Sequence, residues 1–229
     1  GNGGSVEIQV AGNLNIGTDG VITSGTFGVG NGGNVGIQVA GNMNIGAKGM
    51  VMSGSTGTGN GGSVGIQVAG NMTIDGDGWI TSGTDGSGNG GSVQIQVAEN
   101  MNIDSNGYID SSTTGAGNGG NIGIHVSGNL AVGSGAWIAS HTSGSGAAGN
   151  LVISASQLVM TGGGFENEAW ILSDSLGSGA AGRIDVKASK SIELAENSWI
   201  TSDARDSGHA GTVSVSAPDI RIGGTGLVQ

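Results

Sequence analysis

Five aromatic side chains recur at one position of a sequence repeat, and they are the residues best suited to contact a ligand or a partner. They are spaced 29, 29, 33 and 29 residues apart, and the set is Trp79, Tyr108, Trp137, Trp170 and Trp199. Each directly precedes an isoleucine, and alternation along a strand would turn the isoleucines inward and the rings outward. A line of exposed rings is typical of surfaces that bind sugars or other proteins. The rings could instead shield the backbone of neighbouring corner glycines, which is a structural role.

A second group of side chains carries the oxygen atoms that calcium prefers. Asp75 and Asp104 share one repeat position, and Asp77 and Asn106 share another position two residues further on. These oxygens could hold Ca²⁺, but the spacing is neither that of an EF-hand nor the Gly-Gly-x-Gly-x-Asp repeat of calcium-binding β-rolls. A hydrated acidic patch, partly neutralised by Lys48, explains the residues more simply. We therefore expect no cofactor and keep Ca²⁺ as the alternative.

A third group comprises His141, Asp174 and Asp203, which share one position on three successive repeats. The group could bind a divalent metal, or it could consist of turn residues without a special role. No Ser-His-Asp, HExxH or CxxC arrangement is recognisable. The Gly-x-Gly-x-x-Gly strings that begin at Gly28 and Gly86 recur with the repeat and precede no predicted helix. We predict that the protein is not an enzyme.

The charge and the composition exclude several classes of partner. The net charge is −11, with six Lys and Arg against 17 Asp and Glu, and Lys48 is the one such basic residue before Arg183. Because binding to a phosphate backbone needs clustered basic residues, we expect no nucleic-acid partner. No stretch approaches the roughly 18 apolar residues of a membrane span, so we expect no membrane insertion. The chain has no cysteine, which excludes disulfides and thiolate chemistry.

The phrase Gly-Asn-Gly-Gly-Ser/Asn-Val organises the whole chain. Its asparagine recurs every 29 residues, at Asn2, Asn31, Asn60, Asn89 and Asn118. The same phase continues in degenerate form at Ala147, Ala180 and His209, with one interval of 33 residues. A fixed period this short is typical of a solenoid. We predict a single segment over 1–229, with regular repeats over 1–146, degenerate repeats over 147–229 and a corner loop near 163–167.

The pattern of one repeat predicts three short strands separated by corners. Val6, Ile8 and Val10 alternate with polar residues, as half-buried strands do. Leu14 to Ile16 and Val21 to Ser24 form two further strands, separated by turn residues. This pattern predicts an all-β parallel β-helix of about eight coils, with three short strands per coil. An antiparallel β-sandwich is the alternative, but it would not require one phrase at one spacing.

Polar residues also fall into columns when the repeats are stacked. An asparagine ladder is predicted at the first corner, where amides could hydrogen-bond from coil to coil, and its members are Asn13, Asn42, Asn71, Asn100 and Asn129. These asparagines could equally be simple corner residues. Stacked glutamines are expected to form a similar ladder on the first strand, with ligand binding as the alternative role, at Gln9, Gln38, Gln67 and Gln96.

The repeat is similar to those of filamentous-haemagglutinin-like exoproteins. The resemblance lies in Gly-Asn-Gly-Gly-Asn-Val-Gly-Ile-Gln-Val, then Asn-Met-Asn-Ile, then Gly-x-x-Ile-x-Ser, and it covers nearly the whole chain. It implies a right-handed parallel β-helix outside the cell or on a bacterial cell surface, exported by two-partner secretion through an outer-membrane transporter. The Asn-Pro-Asn-Leu motif of the family's secretion domain is absent. The resemblance therefore implies shaft repeats, and it identifies no adhesive residue.

These observations favour a non-enzymatic structural or adhesive shaft over three alternatives. The chain begins and ends within the repeat, so we expect it to be a piece of a longer protein. Solenoid ends normally need caps, so we also expect self-association, head to tail or laterally. Glycans or a host or neighbouring cell surface are the other expected partners. The main alternative is a carbohydrate-binding module that uses the aromatic residues. A polysaccharide lyase would need a basic residue beside its carboxylates, and Lys48 is the one Lys or Arg before Arg183. An ice-binding protein would need an unbroken threonine column, and the candidate column is broken.

Overall fold

The chain forms a β-solenoid of about eight turns of roughly 29 residues, which confirms the predicted fold class. The computed structural model describes residues 1–164 and 166–229, and these residues contain strands and turns but no helix. No helix within them is long and apolar enough to cross a membrane. Phe165, which belongs to the predicted corner loop, lies outside the described residues.

Three strands per coil build the first five coils, and strands are numbered in chain order. The first strands are β1 Ser5–Val10, β4 Asn34–Val39, β7 Ser63–Val68, β10 Ser92–Val97 and β13 Ile122–Val126. The second strands are β2 Leu14–Ile16, β5 Met43–Ile45, β8 Met72–Ile74, β11 Met101–Ile103 and β14 Asn129–Val132. The third strands are β3 Val21–Thr23, β6 Met50–Met52, β9 Trp79–Thr81, β12 Tyr108–Asp110 and β15 Trp137–Ala139, continued in later coils by β17 Ala169–Leu172, β19 Ser198–Thr201 and β22 Leu227–Val228.

The later coils depart from the prediction of three short strands. Coils six and seven fuse the first and second strands into β16 Leu151–Thr161 and β18 Arg183–Ala195. The last coil separates them again as β20 Thr212–Ser216 and β21 Asp219–Ile222. The register of β16 with β18 shifts between Ala155 and Gln157. The Gly-Asn corner of the early repeats is replaced here by Ala155-Ser156-Gln157, and strand pairing continues through a bulge at this position.

Equivalent residues of successive coils pair directly in parallel ladders. Ile37 pairs with Ile66, and Met72 pairs with Met101. The ladders form a 14-stranded sheet of first and second strands and an eight-stranded sheet of third strands. Their inward residues are almost completely buried, as with Ile45, Val51 and Ile80 at 0% exposure. The core is thus a set of straight apolar columns, as the sequence predicted.

A column of buried serines closes each coil. Ser82 Oγ donates a hydrogen bond to the Gly62 carbonyl at 2.6 Å, and Ser111 does the same to Gly91. These bonds join the end of the third strand to the start of the first strand in the same coil. A Cβ on Gly62 would overlap the Gly33 carbonyl and the Ser53 hydroxyl. The third glycine of the Gly-Asn-Gly-Gly phrase therefore lets two coils approach closely.

Candidate functional site

The predicted aromatic residues lie on one face of the sheet of third strands. Backbone pairing brings Trp79 beside Tyr108, Tyr108 beside Trp137, and Trp170 beside both Trp137 and Trp199. All five side chains are half-buried. The sequence therefore places these rings correctly in one column, which we call the aromatic column.

The rings of the aromatic column stack on one another. Trp79 and Tyr108 are 5.8 Å apart between ring centroids with planes 4° apart, and Tyr108 and Trp137 are 4.3 Å and 7° apart. Trp170 and Trp199 form a second stack at 5.3 Å and 16°. Tyr108 is therefore stacked between two tryptophans, and each tryptophan stacks on one other ring. A ligand lying along the column meets mainly ring edges.

Burial within the stacks has electrostatic consequences. It raises the pKa of the Tyr108 hydroxyl, and the nearby carboxylate of Asp110 raises it further. Trp199 Nε1 is buried without a hydrogen-bond partner among the described residues. The aromatic column therefore combines stacked ring faces and a buried Trp199 Nε1 with a partly exposed rim of ring edges.

The predicted asparagine column forms hydrogen bonds from coil to coil. Asn13 Oδ1 accepts a bond from the Asn42 backbone N–H at 2.8 Å, and Asn42 Oδ1 accepts one from Asn71 at 2.8 Å. The pattern continues through Asn100 to Asn129. Each side chain thus satisfies a backbone donor of the next coil at a corner where strand pairing stops.

Sequence reasoning missed a second asparagine ladder within the repeat phrase itself. Asn2 Oδ1 accepts a hydrogen bond from the Asn31 backbone N–H at 3.0 Å. The same bond joins each later member of the set Asn31, Asn60, Asn89, Asn118 and Ala147. The recurrence of asparagine in the repeat phrase was the available signal. Two ladders therefore hold separate corners in register.

The carboxylate group occupies the tight corner between the second and third strands. Asp77 and Asn106 have φ values of 59° and 63°, a left-handed conformation that Asp and Asn tolerate. Asn106 Nδ2 donates a hydrogen bond to Asp77 Oδ1 at 3.2 Å. Asp75 lies towards Gly46 of the preceding coil, whereas Asp104 lies towards Gly133 of the following coil. The structure pairs Asp77 with Asn106 but directs the Asp75 and Asp104 carboxylates apart.

The predicted group of His141, Asp174 and Asp203 does not converge through its side chains. Asp174 Oδ1 accepts a hydrogen bond from the Asp203 backbone N–H at 2.9 Å. Burial raises the pKa of the Asp174 carboxyl. His141 instead contacts Ser112, with Nδ1 2.8 Å from Oγ. Among the described residues, no three His, Cys, Asp or Glu side chains are arranged to hold a metal ion.

His141 and Ser112 belong to a network that sequence reasoning missed. Ser112 Oγ donates a hydrogen bond to Asp110 Oδ1 and accepts one from the His141 backbone N–H at 2.9 Å. Burial raises the pKa of Asp110. Sequence analysis did not predict that these three side chains would meet. Because serine lies between the other two, its proton is held by the aspartate, and the order differs from that of a nucleophile-activating triad.

The glutamine ladder predicted on the first strands does not form. Gln9, Gln38, Gln67 and Gln96 are all exposed, and no hydrogen bond joins their side chains. Their amides instead line a groove of about 720 Å³ at the bend between the first and second strands. Its other wall is formed by Ala11, Ala40, Ala69 and Ala98. We call this feature the glutamine groove.

Comparison with protein-family models, curated proteins and solved structures gives no match to this chain.

Proposed function

We propose that this chain is a non-enzymatic structural and adhesive shaft that acts outside the cell or on a bacterial cell surface. The observation that carries the proposal is the continuous register of the coils. The third strand of each coil, from Val21–Thr23 to Leu227–Val228, pairs with the third strands of the adjacent coils. The pairing continues across the longer interval between Trp137 and Trp170. A stack without a break transmits force along its axis and presents repeated side chains at a constant spacing.

The polar contacts support a mechanical role because they join successive coils. Both asparagine ladders link side-chain oxygens to backbone donors of the next coil. The buried serines fix the shape of each cross-section. Neighbouring strands lie about 4.8 Å apart, so eight coils give a rod about 38 Å long.

Self-association is part of the proposal. In the last described coil Ile220 is 41% and Ile222 is 52% exposed, in contrast to 0% for their partners Ile192 and Leu194 in the coil before. A further coil stacked on such a surface would bury these side chains. We propose that copies of this chain associate head to tail, while the rim of the aromatic column serves lateral contacts.

Export and surface location rest on the repeat resemblance. The absence of cysteine suits passage of an unfolded chain through an outer-membrane transporter, because no disulfide can form before folding. Glycans or a neighbouring cell surface are the proposed adhesive targets.

Electron microscopy of the purified chain tests the shaft proposal. We expect particles no longer than about 38 Å at low protein concentration and straight fibres of uniform width at high concentration. Particles that do not lengthen into fibres at any concentration would contradict the proposal. Circular dichroism on the same sample verifies that the chain is folded with β-structure.

A further inference from the structure

The glutamine groove runs along the solenoid axis at the bend between the first and second strands. Its first part, of about 720 Å³, extends over coils one to five and ends at His125 and Ser127. A second part of about 550 Å³ begins at the same two residues and continues to Lys187 and Ser216. The shared residues make this one concave path along almost the whole stack.

The amides of the groove are free to bind a ligand. The four glutamines are exposed and make no side-chain hydrogen bonds with the described residues. Each primary amide offers two donors and one acceptor oxygen. Because equivalent strands are about 4.8 Å apart, the amides form a regular row of mixed donors and acceptors. The alanine methyl groups beside them supply a smooth apolar strip.

The charge of the groove favours a neutral ligand. No Asp, Glu, Lys or Arg side chain lines its first part, and Lys187 is the one such residue lining the second. The chain as a whole carries a net charge of −11, which repels polyanions. A polycation would find no carboxylate among the lining residues.

The direction of the groove argues against an extended peptide. A peptide lying in the groove would run across the strands and could not extend a sheet through backbone pairing. Its residues would advance about 3.3 Å each, out of step with coils about 4.8 Å apart. A linear sugar polymer presents hydroxyl groups along its length and apolar C–H groups on its ring faces. These two features match the amide row and the methyl strip.

We propose that the glutamine groove binds a linear, neutral polysaccharide that lies parallel to the solenoid axis. The proposal deepens the proposed adhesive function and rests on it, because it names the substrate class and moves the glycan site away from the aromatic column. The glutamine amides exchange hydrogen bonds with sugar hydroxyls, and the alanines contact the ring faces. Repetition over successive coils gives many weak contacts, which add up on a polymer but not on a monosaccharide.

The test compares retention on soluble polymers in native affinity gels. The neutral probes are hydroxyethylcellulose, galactomannan and xylan, and the acidic probes are polygalacturonate and heparin. We expect retention by at least one neutral polymer and by neither acidic polymer. The triple variant Gln38→Ala/Gln67→Ala/Gln96→Ala should bind the retained polymer at least tenfold more weakly with an unchanged melting temperature.

Two further variants separate groove contacts from general damage. Asn15→Ala/Asn44→Ala/Asn102→Ala removes three amides of the adjacent second strands, which do not line the groove, and should bind like the parent. Ala40→Leu/Ala69→Leu keeps the glutamines but fills the alanine strip, and should bind weakly.

Three outcomes would overturn the proposal: no retention by any neutral polymer, retention by the acidic polymers alone, or equal retention of the glutamine variant and the parent. Fibres in electron microscopy together with any of these outcomes would reject the groove but not the shaft. Absence of fibres at every protein concentration would reject the shaft.

Discussion

At the scale of single residues, the glycines of one repeat differ sharply in what they do. Gly62 lies where a side chain would meet the Gly33 carbonyl and the Ser53 hydroxyl, whereas a Cβ on Gly65 would meet nothing within 4 Å. Both residues belong to the third repeat, three positions apart. The two sites therefore provide a matched pair for testing close packing between coils.

We expect Gly62→Ala to destabilise the protein by about 3 kcal/mol, because backbone atoms of two coils must move apart. Gly65→Ala should be neutral or stabilising by up to about 1 kcal/mol, because alanine is less flexible than glycine in the unfolded chain. Urea denaturation of both variants measures the difference. Equal effects at the two positions would contradict close contact at Gly62.

Asp110 is the residue at which pH should act most clearly. Burial raises the pKa of its carboxyl, against the opposing effect of the Ser112 hydrogen bonds. His141 and Asp85 line a cavity of about 230 Å³ together with Asp110, and Tyr108 lies on the same strand as Asp110. The folded protein therefore binds this proton more tightly than the unfolded chain, and the contribution to stability falls as pH rises through the folded pKa.

Asp110→Asn removes this titration and retains an acceptor for the Ser112 hydroxyl. We expect the melting temperature of the variant minus that of the parent to be larger at pH 7 than at pH 3.5. The lower pH is close to the ordinary carboxyl pKa of about 3.9, and the higher pH is well above it. Asp19→Asn, at an exposed turn position, changes the net charge equally and serves as the control. A difference that stays constant with pH, or a loss of stability at neutral pH in the Asp110→Asn variant, would show that ionised Asp110 is not disfavoured.

At the scale of elements, the repeated corners depend on side chains that replace strand pairing. Asn71 Oδ1 accepts hydrogen bonds from both the backbone N–H and the side-chain amide of Asn100, each at 3.1 Å. Asn44, on the neighbouring strand β5, has its amide outside this ladder. The asparagine ladder should therefore contribute to stability, while an outward asparagine on a strand should not.

Asn71→Ala should cost about 1 kcal/mol, the usual net value of a hydrogen bond whose partner is left unpaired. Asn44→Ala should change stability by less than about 0.5 kcal/mol, as is usual for surface substitutions. Chemical denaturation checks both values. If the two variants are equally stable, the ladder does not stabilise the corner.

The sequence was sufficient to predict the strands and their register, because one period runs through every coil. Val6, Ile8 and Leu14 and their equivalents all fall on the predicted columns. The fused strand β16 was not predicted, although the loss of the Gly-Asn corner in its repeat was a visible signal.

The candidate site was less predictable, because side-chain torsions decide it. The aromatic column was placed correctly, but its stacking depends on ring orientations that the repeat does not encode. The contact of Ser112 with His141 joins two coils, and their shared repeat position was the missed signal. The glutamines have long, flexible side chains, so their column position did not determine whether the amides would pair.

At the scale of the whole molecule, the stacked rings change which surface should recognise glycans. We expect Trp79→Ala/Trp137→Ala to leave retention on neutral polymers unchanged, because the glutamine groove lies on the other sheet. The same variant should lose about 1–3 kcal/mol of stability, because both stacking partners of Tyr108 are removed. Affinity gels and thermal denaturation test the two expectations. Loss of glycan retention in a variant of unchanged stability would instead make the aromatic column the binding surface.

Disulfide formation between engineered cysteines tests the coil register most directly. The natural chain has no cysteine, and Gln38 pairs directly with Gln67 on the adjacent strand. Their Cα atoms should be about 4.8 Å apart, within the range that a disulfide spans. Gln38 and Gln96 lie two coils apart, at about 9.6 Å, which is too far.

The measurement is the fraction of intramolecular disulfide after mild oxidation of dilute protein, read by mass spectrometry of peptides. We predict rapid and nearly complete bonding in Gln38→Cys/Gln67→Cys and almost none in Gln38→Cys/Gln96→Cys. Failure of the adjacent pair to bond, or equal bonding of both pairs, would mean that successive 29-residue units do not lie directly over one another.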